Sequence, residues 1–183
     1  HPQTALFRSG LGSGKALRSE TPYSPSQEIP FRSEKEQFVD EPVTVDGKIY
    51  RMTGVSMGNP HVVIFVDDTA SLNLEKIGPS FENHELFPNR INTEFVQVLS
   101  RHEINMRVWE RGSGETLACG TGTCASAVAC VLNGKTDEHL TVHLLGGDLE
   151  IFYDRANDTV WMTGPASVVF DGELSEESIK KIG

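Results

Sequence analysis

Apolar and polar residues begin to alternate regularly near Val43. Val43-Thr44-Val45 and Lys48-Ile49-Tyr50-Arg51-Met52 flank Asp46-Gly47, a dipeptide suited to a tight hairpin. Val62-Val63-Ile64-Phe65-Val66 is a continuous β-branched and aromatic run, the pattern of a strand buried on both faces. Leu72 to Ile77 predicts a short helix, and Pro79 to His84 the start of another. Phe95 to Leu99 and Ile104 to Trp109 make the next strand pair, with apolar residues alternating at Ile104, Met106 and Val108. Four short strands are expected further on, at Leu140–Leu144, Leu149–Tyr153, Thr159–Met162 and Ser167–Phe170, broken by turns at Gly146-Gly147 and Gly164-Pro165. Glu173 to Ile182 is a charged tail with one amphipathic helical pattern.

Between these strand groups lies the clearest helix. Cys124, Val128, Val131 and Leu132 fall on one face, while Ala125, Ser126, Ala127 and Ala129 fill much of the rest. A helix this small and apolar all round is expected to be buried. Asn133-Gly134 closes it, with Gly134 suited to the left-handed position after the last turn. Strands before and after a buried helix imply an α+β fold, a curved, mostly antiparallel sheet or barrel wrapped around that helix. Residues 1–42 are rich in Gly, Ser, Pro and charge and read as loop with one short strand at most. Gly10-Leu11-Gly12-Ser13-Gly14-Lys15-Ala16 invites a phosphate-loop reading. It fails because Gly10 and Gly14 are too close and Ala16 replaces the Mg²⁺-binding hydroxyl.

Composition narrows the function classes. A chain of 183 residues with 38% hydrophobic content can bury one substantial core, or two small ones. A net charge of −10 argues against a surface that tracks nucleic-acid phosphates. No apolar run reaches membrane-spanning length, and the N-terminal segment lacks the apolar centre of a signal peptide. Cys119, Cys124 and Cys130 lie on one helix and its entrance, at spacings that aim their side chains apart. Reduced thiols in the cytoplasm fit better than disulfides. No Cys or His pair has the spacing of a zinc site, so no metal is expected.

The most informative stretch runs from Glu110 to Ala125: Glu-Arg-Gly-Ser-Gly-Glu-Thr-Leu-Ala-Cys-Gly-Thr-Gly-Thr-Cys-Ala. It puts Cys119 at a helix mouth, where the helix dipole and unpaired N–H groups favour thiolate over thiol. The same N–H groups can hold a carboxylate. Acid–base or nucleophilic chemistry on an anionic small molecule suits that position; a structural cysteine in a tight turn is the plain alternative. Two further segments at strand ends offer partners: Ser56-Met57-Gly58-Asn59-Pro60-His61 and Arg90-Ile91-Asn92-Thr93-Glu94.

Together these segments resemble the diaminopimelate epimerase family, the pyridoxal-independent amino-acid epimerases. The resemblance is carried by Gly-Val-Ser-Met-Gly-Asn-Pro-His at 54–61, Phe-Pro-Asn-Arg-Ile-Asn at 87–92 and Trp-Glu-Arg-Gly-Ser-Gly-Glu-Thr-Leu-Ala-Cys-Gly-Thr-Gly at 109–122. Leu145-Gly146-Gly147-Asp148-Leu149 and Met162-Thr163-Gly164-Pro165-Ala166 add to it, so that it extends from about Ser24 to Phe170. The resemblance implies a molecule of two similar lobes, each presenting one catalytic cysteine from a Cys-Gly helix entrance. Residues 24–172 then read as the C-terminal lobe, residues 1–23 as a linker or poorly matching segment, and residues 173–183 as a tail. No Ala-Cys-Gly-Asn-Gly-type segment precedes residue 54, so the N-terminal lobe is expected to be missing and the isolated chain to be inactive.

The implied activity is interconversion of L,L- and meso-diaminopimelate without a cofactor, in lysine and peptidoglycan biosynthesis. One thiolate removes the α-proton and a second thiol delivers a proton to the opposite face. By resemblance Cys119 is the acceptor in the L,L-to-meso direction. Asn59, Asn92, Glu110, Arg111, Gly120 and Thr121 are substrate-binding by the same resemblance, and His61 and Glu110 tune thiol pKa values. Arg111 would hold the distal carboxylate bidentately. The expected partners are diaminopimelate, the missing lobe and, in one reading, a second copy of the chain. Two other readings stay open: another cofactor-independent racemase or isomerase of the superfamily, such as a proline racemase or a phenazine-biosynthesis-like isomerase, and a non-catalytic binding module. Asn59, Asn92, Arg111 and Cys119 are expected to line one open, exposed concave surface.

Overall fold

The buried apolar run that begins at Val62 becomes the middle of a strand whose two faces serve two different cores. The computed structural model describes residues 38–166, together with the backbone of strand segments 3–7 and 15–16. In chain order the elements are β1 (Gln3–Phe7), β2 (Lys15–Ala16), β3 (Glu41–Val45), β4 (Lys48–Ser56), β5 (Pro60–Phe65), α1 (Leu74–Glu82), β6 (Asn92–Val98), β7 (Glu103–Glu110), β8 (Gly114–Thr116), α2 (Gly120–Leu132), β9 (His139–Leu144), β10 (Gly147–Asp154) and β11 (Thr159–Ala166). The described strands form one sheet in the order β1-β11-β10-β9-β7-β6-β5-β4-β2, with β3 on β4 and β8 on β7. Pairing is antiparallel except between β5 and β6 and between β7 and β9.

Helix α2 packs against β4, β5, β6, β7, β9, β10 and β11, so the sheet wraps around it as the hydrophobic pattern implies. Alternation sorts the strand residues. Val55, Val63, Val96, Ile104, Met106 and Val108 face α2, while Met52, Val62, Ile64, Phe95 and Trp109 join Leu74 and Phe81 of α1 on the other face. The central strands are therefore covered on both sides, and Val62, Val63 and Ile64 are all fully buried.

Several elements differ from the sequence expectation. One helix, Leu74–Glu82, replaces the two short ones and carries Pro79 inside it. Asn73 caps its start by accepting the Lys76 N–H, and Pro79 removes one helical bond without ending the helix. Buried Phe81 holds the last turn through edge-on contacts with Tyr50 and Phe95. The expected turn at Gly164-Pro165 is absent, because β11 runs straight through it. Pairing with β10 stops at Thr163, so Pro165 has β1 as its sheet neighbour and the missing N–H is tolerated there. Gly164 lies against the side chain of Leu149, whose terminal Cδ2 would stand 2.3 Å from a Cβ there. β8, inside the cysteine motif, was not anticipated, nor were two strands, β1 and β2, before residue 38. Gly10–Gly14, Ser167–Phe170 and Glu173–Ile182 lie outside the described residues.

Candidate active site at the entrance of the central helix

The parallel pair β5 and β6 starts at the same sheet edge at which β7 ends, and α2 begins there. His61 is in register with Asn92, and the alternation that sends Val63 and Val96 toward α2 sends His61, Asn92 and Glu94 the same way. Cys119 is the N-cap of α2, in extended conformation, with Gly120 the first helical residue. The expected helix start and cysteine position are both found. At the far end Asn133 caps the helix and Gly134 takes the left-handed conformation, φ +66°.

Polar groups converge on the cysteine in a line. Glu94 Oε1 lies 2.7 Å from His61 Nδ1, and both side chains are wholly buried. His61 Nε2 lies 3.0 Å from Asn59 Oδ1. Asn59 Nδ2 donates to Thr121 Oγ1 at 3.2 Å, and Thr121 Oγ1 stands 3.7 Å from Cys119 Sγ. The Gly122 N–H also donates to the sulfur. The backbone is tight here, since a Cβ on Gly122 would lie 2.6 Å from Glu94 Oε1 and 3.2 Å from the sulfur.

A second group fixes the Glu110-Arg111 corner. Asn92 Nδ2 donates to the Pro60 carbonyl at 2.9 Å, and Asn92 Oδ1 accepts the Arg111 N–H at 2.8 Å. Asn92 thus ties three segments together, and its amide is already engaged on both sides. Glu110 accepts from the Thr116 hydroxyl of β8. Arg111 Nη1 donates to the Asn89 carbonyl at 3.1 Å. Buried Glu82 of α1 braces the same corner by accepting from Trp109 Nε1 at 2.8 Å, the Gly112 N–H at 2.9 Å and Arg90 at 2.9 Å.

Asn59, Asn92, Arg111 and Cys119 therefore come together at one sheet edge, but not as an open surface. Asn92 and Cys119 are buried, and Asn59 and Arg111 are half-buried. Two large apolar side chains, Leu117 and Leu145, are exposed nearby.

The electrostatics also differ from expectation. Burial, with the Glu94 carboxylate next and Glu110 a smaller contributor, pushes the Cys119 thiol up to about 11, although the Gly122 N–H and Thr121 hydroxyl pull the other way. The helix entrance does not yield a thiolate here, because desolvation outweighs a few N–H groups. Cys124 and Cys130, deeper in the helix, are pushed up by burial to about 12. Glu94 is raised as well, chiefly by burial. In the sequence it stands only as the last residue of a strand-end segment, with no role of its own. The signal was present in the alternation of Asn92, Glu94 and Val96 against Thr93 and Phe95.

Among the described residues no three His, Cys, Asp or Glu side chains are grouped to hold a metal ion, and no helix is long and apolar enough to cross a membrane.

Comparison with known proteins places the chain in a family. The family model for diaminopimelate epimerase matches residues 53–169. A diaminopimelate epimerase of Agathobacter rectalis is 59% identical over 142 residues, covering 78% of this chain and 50% of the relative. One from Acetivibrio thermocellus is 57% identical over 148 residues, covering 81% of this chain and 53% of the relative. The chain thus spans about half the length of these curated relatives. A crystal structure of a probable proline racemase from Agrobacterium radiobacter K84 is similar in fold alone, with a TM-score of 0.51 at 12% identity, over 73% of this chain and 50% of that one. With the family model matching well over half its length and spanning the cysteine helix and every residue of the site, the chain belongs to the diaminopimelate epimerase family.

Proposed function

We propose that this chain supplies one half of the acid–base machinery that interconverts L,L- and meso-diaminopimelate, with Cys119 as the proton-carrying group on one face of the α-carbon. The observation that carries this reading is a thiol at the N-cap of a buried helix, with the Gly122 N–H donating to its sulfur and the Thr121 hydroxyl 3.7 Å from it.

Inverting a stereocentre without a cofactor requires an acid and a base on opposite faces. A thiol held near pKa 11 rests protonated and is ready to donate. In the L,L-to-meso direction the sulfur accepts, and must begin as thiolate. Its nearest hydrogen-bond donors then hold the charge. The carbanion formed beside the substrate carboxylate places negative charge on oxygen. Gly120 and Thr121, at the start of α2, have N–H groups without helical partners that can meet it. Arg111, half-buried at the corner braced by Asn92, is the cation for the distal carboxylate. Asn59 and Glu110 complete the binding face. Asn92 acts by holding that corner as much as by touching substrate.

The opposite face requires a second thiol, which Cys124 and Cys130 cannot offer from inside the same helix core. The reading is tested by preparing the 183-residue chain alone and a chimera in which the unmatched part of the Acetivibrio thermocellus relative precedes it. The chain alone should not interconvert the two isomers. The chimera should do so, and Cys119→Ala within it should lose roughly 10²–10⁴-fold. Full activity of the chain by itself, or a folded chimera indifferent to Cys119→Ala, would remove the proposal.

A further inference from the structure

Glu94 stands behind the residues just assigned, on the far side of His61 from Asn59. It is fully buried on β6, one carboxylate oxygen lies against His61 Nδ1, and the other has no hydrogen-bond partner among the described residues. The charged or titratable groups around it are His61 on β5, Glu110 on β7 and Cys119 at the entrance of α2. None of these but His61 can neutralise a carboxylate. A bare carboxylate beside a neutral imidazole would leave an uncompensated buried charge, next to a second carboxylate and a sulfur.

We propose that Glu94 is a positioning residue that forms a pair of no net charge with His61 and thereby fixes the direction of a hydrogen-bond chain ending on the Cys119 sulfur. The proposal rests on the reading of Cys119 as an acid–base thiol. If the Glu94–His61 pair carries no net charge, only two arrangements exist: a carboxylic acid donating to Nδ1 of a neutral ring, or a carboxylate accepting from Nδ1 of an imidazolium. In both, His61 Nε2 carries hydrogen. It then donates to Asn59 Oδ1 at 3.0 Å, which turns Asn59 Nδ2 toward Thr121 Oγ1 at 3.2 Å. Thr121 Oγ1, already accepting, has its own proton left for Cys119 Sγ at 3.7 Å. Every donor in the line then points toward the sulfur, and each link polarises the next. The opposite protonation would reverse the line: Nδ1–H to a bare carboxylate, Asn59 Nδ2 donating to Nε2, and the Thr121 proton drawn back to Asn59 Oδ1. The sulfur would then lose its hydroxyl donor. A buried carboxylate on β6 thus decides the state of a hydroxyl at the start of α2.

The protonation of His61 can be read directly on this chain, without substrate, by long-range ¹H–¹⁵N spectra of the ¹⁵N-histidine-labelled protein at pH 7. The ring signals are identified by their loss in His61→Asn. The expected result is hydrogen on Nε2 in the unmodified chain. Glu94→Gln, whose amide can donate to Nδ1, should keep it. Glu94→Leu, which can neither donate nor accept, should give a mixture of tautomers or the Nδ1–H form. A His61 ring with a bare Nε2 in the unmodified chain would overturn the proposal, as would an unchanged Nε2–H in a folded Glu94→Leu variant. If Glu94→Leu does not fold, the unmodified and Glu94→Gln spectra decide alone, loss of the Nε2–H in Glu94→Gln also counting against it. These spectra are independent of epimerase activity. A chimera without activity would sink the functional reading and leave them unchanged, whereas a reversed tautomer would sink only this one.

Discussion

At the scale of single residues, Cys119 shows how a correct position can come with a wrong charge. The Gly-rich approach and the closing Asn133-Gly134 placed it at the helix entrance from sequence alone. A short motif can specify a cap because capping is local. Its acidity is not local. Burial under the sheet and the carboxylate of Glu94, which comes from a strand 25 positions earlier (119 − 94), set the thiol near 11. The sign follows directly: a raised pKa keeps the protonated form through neutral pH, and thiolate accumulates only as the pH climbs toward 11. Alkylation of Cys119 by a small haloacetamide should therefore rise about tenfold per pH unit from 7 to 10. Cys119 should still react before Cys124 and Cys130, which are more deeply buried and pushed higher, to about 12. Peptide mapping of the labelled chain checks both points. A plateau below pH 9 would mean that the helix entrance controls the thiol after all; labelling of Cys124 or Cys130 first would remove the distinction made for Cys119.

At the scale of elements, what was legible had a strong periodic signal, and what was missed depended on a neighbour. The hairpin around Asp46-Gly47, the two-faced strand after Pro60 and the small-residue helix α2 all follow from pattern. The single helix α1 was split in the reading because Pro79 looks like a break. Nothing in the sequence shows that Phe81 is anchored on Tyr50 and Phe95. Gly164 reads as a turn residue for the same reason: the strand that continues through it is set by pairing with β1 and β10, which the local sequence does not show. Gly78 gives a sharp test of this distinction. It lies inside α1, where alanine is the better helix former by about 1 kcal/mol. A Cβ at that position would, however, lie 2.2 Å from the Trp109 ring, and Glu82 pins that indole through its Nε1–H. Overpacking against a fixed ring costs roughly 1–3 kcal/mol, and a contact this short falls in the upper half of that range, about 2–3 kcal/mol, more than the propensity gain. Gly78→Ala should lower stability by about 1–2 kcal/mol in urea unfolding. Lys76→Ala, on the exposed side of the same helix, should stay within about 0.5 kcal/mol of the parent chain. A stabilised Gly78→Ala would show that α1 can move away from Trp109.

At the scale of the whole molecule, the site lies where the sheet is covered on both faces, and this links its geometry to global stability. The core around α2 and the core around α1 are separate clusters of side chains, yet β4, β5, β6 and β7 feed both in alternation. Val63 and Val96 serve one cluster while Val62, Ile64 and Phe95 serve the other from the same strands. Losing either helix would expose one face of strands that the other face still needs, so neither cluster has a separate way to melt. Two-state unfolding is the consequence. Trp109 belongs to the α1 cluster, and Cys124 and Cys130 to the α2 cluster. In a Trp161→Phe background, which leaves Trp109 as the reporting indole, its fluorescence and the exposure of Cys124 and Cys130 to a thiol reagent should change with one urea midpoint and one slope. The same strands hold His61, Glu94 and the Glu110 corner, so the polar line to Cys119 should dissolve in that single transition. An earlier loss of thiol protection, with Trp109 still in its native environment, would show that α2 can leave the sheet by itself. The entrance of α2 would then be the least stable part of the fold rather than a part of its shared core.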